Sequence, residues 1–195
     1  MEKKIVGLFV CMLLITTILP MTTLAGDPEN PEIEDELNDT NLNSLDIKSA
    51  WFYEKADEPE YLYTALKLQS LNLKANACLS IRWNYNGKDY VSGFDTYKFQ
   101  EDVFRSGDPK RASYWQWQNM PECEGTADQA INVITWKVLK SNIGNPEKGD
   151  VLTNTRAAAV PSGYTSFIYF FTGRDFRDFA PNEQYGLDYI IQYIG

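Results

Sequence analysis

Two groups of residues have the types and spacings needed to do chemistry. Asp175, Asp178, Glu183 and Asp188 crowd the C-terminal part of the chain, and Trp115 and Trp117 stand two positions apart in Tyr114-Trp115-Gln116-Trp117-Gln118-Asn119. Close carboxylates act either as the acid and base of a glycosidase or as oxygen ligands for a hard cation. Their sequence spacing matches no diagnostic loop, so no catalytic residue is assigned, and Asp175, Asp178 and Asp188 stand as Ca²⁺ candidates beside the plainer reading of a solvated acidic surface. On a strand the two indoles share one face and Gln116 and Gln118 the other. Flat aromatics stack on sugar rings while neighbouring amides bind hydroxyls, which makes Tyr114, Trp115 and Trp117 candidate ligand-binding residues. The competing reading places the indoles in the core, as in most β proteins.

What is missing narrows the chemistry further. The chain has no histidine, which removes Ser-His-Asp and Cys-His nucleophile systems and the usual zinc sites. It has neither a G-x-x-x-x-G-K-[ST] nor a G-x-G-x-x-G run, so nucleotide phosphates have no cradle. Of three cysteines, Cys11 lies in an apolar N-terminal run, leaving Cys78 and Cys123 as an even pair. In an oxidising compartment such a pair is expected to form one disulfide, closing a loop of about 45 residues and stabilising the fold by roughly 4 kcal/mol.

The compartment follows from the start of the chain. Glu2, Lys3 and Lys4 precede an apolar run from Ile5 to Leu19, and Thr23-Leu24-Ala25 supplies small residues at a cleavage site. That is the layout of a secretory signal peptide over residues 1–25, since a membrane span needs about 20 apolar residues. Residues 26–45 carry seven acidic side chains, among them Asp35 and Asp39, with Pro28 and Pro31, and read as a flexible acidic leader. Asn38-Asp39-Thr40 is a glycosylation acceptor within it. Without Glu2, Lys3 and Lys4 the processed chain has 26 acidic and 16 basic residues. Nucleic acid and anionic lipid are therefore excluded as partners, because both demand a basic face. A protein free of the membrane after signal cleavage is the expectation, secreted or at the cell surface.

From residue 46 to 195 the chain reads as one β domain. Leu79, Ile81, Trp83 and Tyr85 alternate with Cys78, Ser80, Arg82 and Asn84, as in a half-buried strand. Asn86-Gly87 then marks a two-residue hairpin, which sets Trp83 opposite Tyr90 and Leu79 opposite Phe94. Further strands are expected at 47–53, 61–68, 113–118, 131–140, 151–157, 165–171 and 185–194, with short helical turns at 101–105 and 141–144. About nine strands with turns at short intervals predict an all-β, jelly-roll-like antiparallel sandwich. Trp51, Trp83 and Trp136 are expected in its core, with Tyr61 and Tyr63 on a solvated strand face.

Residues 46–53 (Asp-Ile-Lys-Ser-Ala-Trp-Phe-Tyr) and 61–68 (Tyr-Leu-Tyr-Thr-Ala-Leu-Lys-Leu) resemble the opening strands of DOMON-like sandwiches, a group that includes family-9-type carbohydrate-binding modules. Residues 134–140, with Ile143-Gly144-Asn145-Pro146, resemble a later strand-to-turn passage of that superfamily, with Leu139 where the pattern has proline. The resemblance implies extracellular binding of sugar or, in some members, haem. Those members hold the iron with His or Met, and of these residues 26–195 offer only Met120. The function expected is thus a secreted, non-catalytic binding or accessory module for a glycan or a cell-surface component, with no cofactor beyond a structural Ca²⁺. The alternatives are a structural or adhesive surface protein without a small-molecule site and, third, a secreted hydrolase.

Overall fold

A computed structural model describes residues 26–96, 103–108, 120–161 and 177–195. Eleven strands occur among them: β1 (Ile33–Glu34), β2 (Ile47–Tyr53), β3 (Tyr61–Leu68), β4 (Ala77–Tyr85), β5 (Lys88–Asp95), β6 (Val103–Gly107), β7 (Glu124–Asp128), β8 (Val133–Leu139), β9 (Val151–Pro161), β10 (Asp178–Ala180) and β11 (Tyr189–Ile190). All pair antiparallel, in two sheets with the orders β1-β2-β3-β8-β7 and β10-β9-β4-β5-β6, and β11 pairs with the start of β9. The fold is the expected β-sandwich.

Alternation drives it. Leu62, Thr64, Leu66 and Leu68 point one way from β3, and Ala77, Leu79, Ile81, Trp83 and Tyr85 point one way from β4. These two inward sets face each other and, with Ile134, Trp136 and Val138 of β8, form one core. Phe52 meets Trp83 edge-on at 5.6 Å and stacks on Tyr189 at 5.5 Å, tying both sheets to the C-terminal segment. Thr64 and Ser92, both fully buried, share a 2.7 Å hydrogen bond from β3 to β5, so neither hydroxyl is orphaned in the core. The β4–β5 hairpin has the anticipated register, Trp83 opposite Tyr90 and Leu79 opposite Phe94. Asn86 and Gly87 both have positive φ, 50° and 71°, as a type I′ turn requires.

Several elements differ from the sequence reading. Of the helical turn expected at 101–105, residues 103–105 belong instead to β6, because Val103 to Gly107 pair with Asp95 to Val91 of β5 and tertiary pairing outweighs a weak local preference. The turn expected at 141–144 is present as a 3₁₀ helix, Lys140–Ile143, closed by Gly144 at φ 92°. Residues 185–194 are strand only at Tyr189–Ile190. The rest of that segment is held by single bonds, such as Leu187 N–H to the Glu32 carbonyl at 2.7 Å and Ile191 N–H to the Asp150 carbonyl at 2.9 Å. The strands expected at 113–118 and 165–171 lie outside the described residues.

The acidic segment 26–45 is not a loose leader. Ile33 of β1 pairs with Ala50 of β2, and Ile33 and Leu45 are 0% and 1% exposed in the core. Two well-placed apolar anchors suffice to dock a segment whose composition is otherwise that of a solvated chain.

The disulfide is also absent: Cys78 and Cys123 are free thiols. Cys78 sits on the outer face of β4 with Ser80, Arg82 and Asn84, whereas Cys123 packs against the core beside Phe104, whose carbonyl accepts its N–H at 2.9 Å. Side chains on opposite sides of a sheet cannot meet the close Cβ approach of a disulfide. Burial pushes both thiols up, to about 12 for Cys78 and about 11 for Cys123.

Candidate metal centre

The edge where β1 and β2 of one sheet meet β10 of the other collects carboxylates. Asp35 follows β1, Asp39 lies in the turn after it, Asp46 precedes β2, and Asp178 opens β10. One oxygen from each of Asp35, Asp39 and Asp178 lies within 4.8 Å of the others. They come from segments about 140 residues apart in sequence, brought together because the docked N-terminal segment runs past the start of β10.

Backbone contacts fix the positions. Ile47 N–H donates to Asp178 Oδ2 at 2.5 Å, and Asn38 N–H donates to Asp46 Oδ2 at 2.7 Å. The Asn182 amide donates to Asp39 Oδ2 at 2.6 Å. Asp46 is therefore held between the Asn38-Asp39 turn and the Ile47–Asp178 contact. It is fully buried, yet its Oδ1 has no hydrogen-bond partner, and neither has the buried Asp35 Oδ2. A buried carboxylate oxygen left unpaired is costly, which marks both as atoms awaiting a positive charge or a proton.

The electrostatics agree. Burial first, then the charges of Asp178 and Asp39, push Asp35 up to about 7. Burial, with Asp39 and Asp46 adding like charge, lifts Asp178 to about 6 against the opposing Ile47 N–H. Burial and the charge of Asp39 likewise raise Asp46. Like charges this close favour keeping a proton or binding a cation. Beside the cluster opens a solvent-facing cleft of about 610 Å³, lined by Glu34, Asp35, Glu36, Pro181, Asn182 and Glu183.

Carboxylate oxygens gathered this closely suit a hard cation such as Ca²⁺. Asp178 is already tied to a backbone N–H, a structural role that leaves one of its oxygens occupied.

Of the residues the sequence proposed, Asp178 belongs to the cluster. Asp188 is exposed and outside it. Asp175, Tyr114, Trp115 and Trp117 lie outside the described residues. Sequence reasoning missed Asp35 and Asp39 as members of the cluster because it assigned them to a free leader. The signal that points to them is the spacing of Ile33, Leu42 and Leu45, which pins the segment around them.

The outer face of β2 and β3 presents a second feature. Tyr53 and Tyr63 stack at 4.8 Å, with the Lys55 ammonium 4.3 Å over the Tyr63 ring and the Lys137 ammonium 4.2 Å over Tyr61. Glu58 binds Lys137 at 2.7 Å and accepts from the Tyr63 hydroxyl. Tyr63 is thereby 5% exposed, so the solvated tyrosine strip expected there is largely covered by its own neighbours. Trp51 also lies on this face, in a small cluster with Ala65 and Val133, whereas Trp83 and Trp136 are in the main core as expected.

No family model, curated protein or solved structure matches the chain.

Proposed function

We propose that the chain is a secreted, non-catalytic binding module that takes up Ca²⁺ at the β1–β2/β10 edge and presents it to an oxygen-rich ligand, a glycan or a cell-surface component. The observation that carries this reading is the convergence of Asp35, Asp39 and Asp178 within 4.8 Å beside an open acidic cleft. The unpartnered oxygens of Asp35 and Asp46 support it. A hard cation takes 6–8 oxygens, and three carboxylates leave positions that water or vicinal sugar hydroxyls fill. The DOMON-like pattern of residues 46–68 is consistent with such a role on a sandwich scaffold, and the acidic surface suits a cation-dependent contact.

Calorimetric titration of the processed chain with Ca²⁺ tests the first step, and the intrinsic fluorescence of the five tryptophans, titrated with polysaccharides with and without Ca²⁺, tests the second. Saturable Ca²⁺ binding weakened roughly tenfold or more in Asp39→Asn, with glycan binding only when Ca²⁺ is present, is the expected result. No Ca²⁺ binding by the folded protein refutes the site and favours a structural surface protein.

A further inference from the structure

Glu32 is buried at 6% exposure without being part of the carboxylate cluster. Its Oε2 accepts Phe52 N–H at 2.8 Å, and its backbone carbonyl accepts Leu187 N–H at 2.7 Å. The backbone N–H of Glu32 itself and, more weakly, that of Gly26 also favour the ionised carboxylate. Gly26 is buried, and a β-carbon there would overlap both Glu32 oxygens, so a larger residue would have to push that carboxylate aside. The sequence independently places the signal cleavage between Ala25 and Gly26.

We propose that Gly26 is the N-terminal residue of the processed protein and that its α-ammonium forms a buried ion pair with Glu32, so that removal of the signal peptide locks the acidic segment onto the sandwich. This rests on secretion, not on the cation site. Hydrolysis by a processing peptidase adds hydroxyl to the Ala25 carbonyl and leaves the nitrogen on Gly26, which takes up protons to become an ammonium at neutral pH. A neutral amide donor is replaced by a cation at the same place. Before cleavage, burial, opposed by the Phe52 and Gly26 donors and reinforced by Asp27, pushes Glu32 up to about 7. The other titratable groups that feel it are Tyr189 and, through the Tyr189 hydroxyl, Glu54.

The sign follows from linkage. An unprocessed chain loses stability as pH rises from about 4.3, the unfolded value of Glu, through about 7. The processed chain does not lose it there, because the ammonium holds Glu32 ionised; it loses the pair only as pH rises through the raised amine value, above about 8.

The test compares the chain beginning at Gly26 with one beginning at Leu24, each as wild type and as Glu32→Gln. At pH 7 the Gly26 form is expected to melt roughly 5 °C or more above the Leu24 form, with the gap closing near pH 4 and disappearing in Glu32→Gln. Equal melting at pH 7, or a gap that survives Glu32→Gln, overturns the proposal. Should Glu32→Gln fail to fold, acylation of the wild-type α-amine decides: at least roughly tenfold protection against the unfolded chain supports the pair, and equal reactivity overturns it. N-terminal sequencing of the secreted protein must return Gly26, and any other first residue refutes the processing step separately.

Discussion

Asp178 accepts the N–H of Ile47 at 2.5 Å, a bond between residues 131 positions apart that ties the first residue of β10 to the first residue of β2. Because those strands belong to different sheets, this one carboxylate closes the sandwich edge and anchors the proposed cation site. Asp178→Ala is expected to lower stability by about 2 kcal/mol, the cost of leaving a buried donor unpaired, and to abolish Ca²⁺ binding. Denaturant unfolding and calorimetry measure the two effects.

Asp39 is exposed, so its role separates from folding. Asp39→Asn is expected to weaken Ca²⁺ binding by roughly tenfold or more while shifting stability by less than about 0.5 kcal/mol. A titration and a melting curve on the same sample check this.

Asp35 and Asp178 both titrate above their unfolded value near 3.9, at about 7 and about 6. The folded state therefore binds more protons at these two groups between about pH 4 and 7, and without divalent cation their contribution to stability is full below pH 4 and falls as pH rises through that window. Ca²⁺ replaces the protons, so its stabilisation is expected to grow over the same window. Melting temperature against pH, in EDTA and in Ca²⁺, reads both trends.

Glu54 and Lys140 form a buried ion pair at 2.7 Å, and the Lys140 ammonium also donates to the Tyr193 carbonyl at 2.6 Å. Glu54 Oε2 accepts Gln192 N–H at 2.5 Å, so the pair fastens the C-terminal segment to the end of β2 and the 3₁₀ turn. Lys140→Met leaves a buried charge without its partner and is expected to cost about 3–5 kcal/mol. The double variant with Glu54→Gln is expected to cost less than the sum of the two single changes, which a double-mutant cycle measures.

Cys78 and Cys123 are expected to titrate as two free thiols in the protein, and both, held up near 12 and 11, to alkylate slowly at pH 8 until the chain is unfolded. Mass analysis after alkylation, native and denatured, counts them.

The sequence by itself determined the strands whose two faces differ most in polarity. The bounds of β2 and β3, the β4–β5 register and its Asn86-Gly87 turn were all legible because period-two alternation and turn chemistry are local. Short edge strands were not. β1, β7 and β10 have two, five and three residues, too few for a period to show, and exist because a neighbour offers unpaired backbone. The candidate site shares that dependence. Asp178 stood out in sequence only as one acid among several, whereas Asp35 and Asp39 were hidden in a segment whose composition speaks for solvation. Their meeting required Ile33 and Leu45 to enter the core, a gain that depends on a cavity formed by other strands. Tertiary structure also decided the fate of the thiols, because which side of a sheet a residue such as Cys123 reaches depends on how the chain enters β7, and sequence separation carries no record of it.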